Sequence, residues 1–126
     1  MIRSTVASFL LLLCITSFAA ESQSEISGRV TDSEGAALAK ARVLLHWDPS
    51  GSAVGLTDNI GIKDDVTVTT DANGNYSLNV PAGFYDVFVS AMAFTPTAAK
   101  VRLKQGKRTQ FSAKLRADPL VTKELD

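Results

Sequence analysis

The chain has 126 residues, 45% of them hydrophobic, with 13 Lys and Arg against 13 Asp and Glu. That length suits one compact domain with its own core. The balanced charge excludes the global basicity of a nucleic-acid-binding protein. The single cysteine, Cys14, excludes an intramolecular disulfide framework, so stability has to come from packing.

In chain order, Arg3, the apolar run from Val6 to Phe18 and the small residues around Ser17-Phe18-Ala19 read as a secretory signal over residues 1–19, cleaved after Ala19 or Ala20. The run is shorter than the roughly 20 apolar residues of a spanning helix. Leu13 before Cys14 does not suit a lipid-modified cysteine. The exported part, secreted or periplasmic, is then one domain over 20–117 with a tail over 118–126 and no stable membrane insertion.

Ile26, Gly28 and Val30 alternate with polar residues up to the turn Asp32-Ser33-Glu34-Gly35, which predicts a first strand. Ala41, Val43, Leu45 and Trp47 mark a second by their period of two. Asp48 to Ile62 carries Pro49, Gly51, Gly55, Asn59 and Gly61 and reads as the longest loop, a place where a special function would reside. Val66 and Val68 form a third strand. Asp71-Ala72-Asn73-Gly74 then makes a hairpin turn into Tyr76, Leu78 and Val80, and after Pro81-Ala82-Gly83 the row resumes at Tyr85, Val87 and Val89. Val101 and Leu103, a turn at Gln105-Gly106-Lys107, and Thr109, Phe111, Ala113 and Leu115 complete seven strands. With no sustained 3.6-residue apolar period, the pattern predicts an all-β, seven-stranded antiparallel Greek-key sandwich preceded by the signal peptide.

Gly28-Arg29-Val30-Thr31-Asp32 with Gly35, then Ala41-Arg42-Val43, Thr70 to Tyr76 and Val80 to Val87 stand in the order found in the carboxypeptidase regulatory-like domain. From about Glu25 to Leu115 the chain resembles this transthyretin-like β-sandwich module, here in a stand-alone form. Leu38 stands where such modules often carry Pro, and Ala93-Phe94-Thr95-Pro96 replaces the more usual Gly-aromatic corner. The resemblance implies a secreted or periplasmic accessory, binding or structural unit, and its name implies no peptidase activity.

Zinc hydrolysis needs several His and carboxylate ligands, and the chain has one histidine, His46. A Ser-His-Asp arrangement would draw on His46 with Ser50 or Ser52 and Asp48, with nothing to build an oxyanion hole. No catalytic residue, metal or cofactor is therefore expected. Asp58, Asn59, Asp64, Asp65, Asp71 and Asn73 bear oxygens of the kind calcium uses, but Asp71-x-Asn73-x-Asn75 has its Gly74 too early for a calcium loop.

Trp47 is a sugar-stacking platform or, by its place in the inward row, a core residue. Phe84 and Phe88 fall on outward positions beside Asp86 and Ser90. With Met92 and Phe94 they form a candidate interaction patch for a partner subunit, another protein, or the tail through Leu120 and Val121. Lys100, Arg102, Lys104, Lys107, Arg108, Lys114 and Arg116 make an acid-free basic run, read as a solvated face that also guards an edge, with an anionic polymer, lipid headgroups or the acidic Asp58, Asp64 and Asp65 loop of a neighbour as the alternatives. Asn75-Tyr76-Ser77 is a glycosylation sequon that matters only in a eukaryotic secretory route. The function expected is non-enzymatic recognition or a structural accessory role, through a protein partner or self-association and without nucleic acid. A carbohydrate-binding module of the cell envelope or secretome is the alternative.

Overall fold

A computed structural model describes residues 23–50 and 61–120. The expected signal peptide with its cleavage site, the middle of the long loop and the tail from Val121 lie outside the described residues. Nine strands occupy the described part: β1 (Gln23–Asp32), β2 (Arg42–Trp47), β3 (Val66–Thr69), β4 (Asn75–Pro81), β5 (Gly83–Ser90), β6 (Phe94–Thr95), β7 (Thr97–Leu103), β8 (Arg108–Gln110) and β9 (Ala113–Ala117). They form two sheets, one ordered β4-β1-β9-β6 with β8 also paired to β1, the other ordered β3-β2-β5-β7.

The chain is a β-sandwich because each strand alternates as its sequence does. Sheet one turns Ile26, Val30, Tyr76, Val80 and Leu115 inward. Sheet two answers with Val43, Leu45, Trp47, Tyr85, Val87, Val89 and Leu103, and none of these twelve is more than 5% exposed. Facing rows of this kind exclude water from both inner surfaces, which is the main driving force for the fold. The polar ends of the aromatic residues are satisfied inside. Tyr85 donates to the Pro81 carbonyl at 2.6 Å. Trp47 Nε1 donates to the Gly61 carbonyl at 2.9 Å, and its ring meets Tyr85 edge-on at 5.3 Å.

The seven expected strands become nine at two places. The last is interrupted, since β8 pairs with Glu25–Ser27 and β9 with Val30–Asp32, and both run parallel to β1 although an antiparallel sandwich was expected. Arg108 faces Glu25 and Ala113 faces Val30, so the register is the same on either side of the gap. Within the gap the backbones close in. A Cβ on Gly28 would lie 1.8 Å from the Phe111 carbonyl oxygen, so only glycine fits there. The displaced ladder is repaired by other partners. The Phe111 amide donates to the Ser27 carbonyl at 2.8 Å, the Arg29 amide donates to Ser112 Oγ at 3.0 Å, and the Tyr76 hydroxyl donates to the Phe111 carbonyl. Burial pushes the Tyr76 phenol up to about 12.

The other addition is β6. Phe94 and Thr95 pair with Ala117 and Arg116 in sheet one, and after Pro96 the chain enters sheet two as β7. Proline has no amide hydrogen for a ladder, so the crossing falls where a ladder bond is unavailable.

Candidate functional site

The two outer faces differ in chemistry. Sheet one exposes Asn75, Ser77 and Asn79 on β4, with Glu25 and Ser27 opposite them or nearby on β1. Sheet two exposes Phe88, 43% accessible at the centre of its four strands.

Cross-strand register arranges the outer face of sheet two in rows. Thr67, Leu44, Phe88 and Ala98 lie side by side on β3, β2, β5 and β7. Two residues along, about 6.8 Å away, His46, Asp86 and Lys100 make the next row, extended by Asp65, whose Oδ1 lies 2.7 Å from His46 Nδ1. Beyond it Phe84 faces Arg102, whose guanidinium stands 5.7 Å from the ring centroid. On the other side of the Phe88 row, Thr69, Arg42 and Ser90 form a row with one cation.

The charged row is held by short contacts. Lys100 Nζ sits 2.7 Å from Asp48 Oδ2 and 3.3 Å from Asp86 Oδ1. Ser50 donates to Asp48 Oδ1 from its hydroxyl at 2.6 Å and its amide at 2.9 Å. The Lys100 hydrogen bond and then those from Ser50 hold the Asp48 carboxyl well below the usual carboxylate range. The Asp48 and Asp86 hydrogen bonds raise Lys100 in turn.

The structure separates the four patch residues. Phe84 and Phe88 share the outer face of β5, Phe84 half-buried under Arg102. Met92 stands 94% exposed in the turn after β5. Phe94 packs partly buried against the core from β6. Leu44 and Ala98 are the direct cross-strand neighbours of Phe88, a relation set by register that no local alternation encodes.

Other expected positions resolve as follows. Trp47 is 2% exposed, a core residue with no face left for a sugar. His46 pairs with Asp65, while Asp48 is engaged by Ser50 and Lys100; Ser52 lies outside the described residues. Asp71 Oδ1 accepts the amides of Asn73 and Asn75, which gives that carboxylate a turn-capping role. Asp58 and Asn59 lie outside the described residues. The basic run divides: Lys100 and Arg102 lie on sheet two, Arg108, Lys114 and Arg116 on sheet one, and Lys104 and Lys107 at the turn between.

Four similarities relate the chain to known proteins. The family model of the carboxypeptidase regulatory-like domain matches residues 25–116. A viral protein, "Structural protein 27" (virus isolate Australia/Victoria), is 30% identical over 88 residues, which span 70% of this chain and 14% of that protein. Among solved structures, 3-chlorocatechol 1,2-dioxygenase of Rhodococcus opacus 1CP superposes with a TM-score of 0.59 at 11% identity, covering 80% of this chain and 63% of that one. Catechol 1,2-dioxygenase of Pseudomonas arvilla C-1 gives 0.59 at 14% identity, covering 82% and 55%. At such identities the likeness is one of fold alone.

Proposed function

The chain belongs to the carboxypeptidase regulatory-like domain family, and from that premise we propose that it is an exported, non-enzymatic recognition or structural accessory module whose contact surface is the outer face of sheet two. The observation that carries this reading is Phe88, a 43% exposed ring at the middle of a four-stranded face. Leu44 and Ala98 extend it into a short apolar row between polar rows. An aromatic anchor inside a polar rim is the arrangement that concentrates binding energy in protein interfaces. The name of the viral relative, a structural protein, supports the same class of role.

A catalytic role draws no support from His46, which lies half-exposed on an open face and is engaged by Asp65. Nor does burial of Trp47 favour the carbohydrate-binding alternative. Export rests on the N-terminal apolar run from Val6 to Phe18, and no described helix is long and apolar enough to cross a membrane.

Phe88→Ser tests the proposal. The variant is expected to lose at least about tenfold in affinity for the bound partner or second copy, while its urea unfolding free energy changes by less than about 0.5 kcal/mol, as for a surface position. A large loss of stability with association unchanged would overturn it, as would turnover in an esterase or peptidase screen that His46→Ala removes.

A further inference from the structure

We propose that the outer face of sheet two binds the same face of a second copy of this chain, about a two-fold axis that runs across the strands along the Leu44–Phe88–Ala98 row. This deepens the reading of that face as the contact surface and rests on it.

The charges on either side of the row select both the occupant and the axis. The Thr69–Arg42–Ser90 row carries one positive charge. The Asp65–His46–Asp86–Lys100 row, closed at its Lys100 end by Asp48, carries three carboxylates and one ammonium and is negative in sum. Both rows stand about 6.8 Å from the Phe88 row. Rotation about an axis along that row reverses the strand direction and exchanges the two flanks, so each positive row lands over the negative row of the other copy. Phe88 then meets Phe88 and Leu44 meets Leu44. Arg42 lies over the second copy's His46 and within reach of its Asp65. A two-fold axis parallel to the strands would instead set each row over its own like-charged equivalent. A face whose flanks have opposite sign at equal distance from an apolar centre is complementary to itself, as an isologous interface requires.

Size sets the strength. Four strands spaced about 4.8 Å apart and three rows about 6.8 Å apart cover roughly 400 Å² per copy. A standard stable interface buries about 800 Å² per partner. The dimer is therefore weak, with Kd in the micromolar range or above, and it forms only as the local concentration rises.

Sedimentation velocity on the full chain between about 10 µM and 1 mM reads that range directly. The wild type is expected to pass from monomer to dimer across it. Arg42→Asp and Asp65→Arg alone should each raise Kd about tenfold, since the two-fold doubles every contact and reversal replaces attraction with repulsion. The double variant R42D/D65R, which keeps the wild-type net charge, should return Kd to within about threefold of wild type. Both positions are exposed, so folding is not at stake. A wild type that stays monomeric, or a double variant no better than the singles, overturns the second copy as occupant. If the wild type is monomeric yet Phe88→Ser still weakens binding to another protein, the contact-surface reading stands and only this inference falls. If neither self-association nor partner binding responds to Phe88→Ser, both fall.

Discussion

Gly28 shows how one position can be fixed by a neighbour far along the chain. Its missing side chain lets the Phe111 carbonyl approach to where a Cβ would stand, 1.8 Å from the oxygen and 2.5 Å from the carbon. Backbone cannot yield there as a flexible side-chain tip could, because Phe111 is tied to Ser27 and to the Tyr76 hydroxyl. Gly28→Ala should therefore push β8 and β9 off β1 and cost about 3 kcal/mol, the upper part of the overpacking range, measured as a lowered urea midpoint at unchanged slope. A cost under about 1 kcal/mol would mean that the gap between β8 and β9 can widen freely. The glycine itself was visible as a small residue in the inward row Ile26, Gly28, Val30. The reason for it was not visible, because the atom that forbids a side chain comes from the gap between β8 and β9, far along the chain from Gly28.

Neighbouring strands supply the next level of constraint. Alternation within β2, β5 and β7 made the outward positions of His46, Asp86 and Lys100 readable one strand at a time, since a period of two is a local property. That the three form one row, and that Asp48 and Asp65 close its two ends, depends on register and on loop paths that no local pattern encodes. The row makes a prediction in acid. Lys100 and Ser50 hold the Asp48 carboxyl below its ordinary 3.8, so below that pH the unfolded chain binds a proton that the folded chain resists. The stability from this group is thus fully present above about pH 4 and drains as the pH falls below it. Lys100→Met removes the largest cause of the depression. The variant should be less stable than wild type at neutral pH, and the gap should narrow steadily below about pH 4 in urea titrations. A gap constant from neutral pH into that acid range would show that Lys100 acts through packing of its stem and not through Asp48.

Across the whole molecule, the inward rows Ala41 to Trp47 and Tyr85 to Val89 made the sandwich legible before any pairing was known, but the path between the sheets decides what the surface presents. Lys100 to Arg116 reads as one basic run in the chain. The turn at Lys104–Lys107 then carries the backbone from sheet two to sheet one, held by Gly106 donating to Gln23 and Glu25 donating to Lys107. The cations are thereby parted onto opposite faces, where Lys100 is engaged by Asp48 and Asp86 and Arg108 by Glu25. An anionic polymer meets only a few of them at once. Because log K falls with log salt in proportion to the number of charges neutralised together, retention on a heparin column should end below about 0.15 M NaCl, where the screening length shrinks to about 8 Å. Retention beyond about 0.5 M would require several cations acting on one strand of polymer. A divided set such as this one supplies them only if the polymer wraps the turn at Lys104 and Lys107. Replacing both by Glu would then abolish retention, whereas the divided arrangement predicts only a modest shift to lower salt.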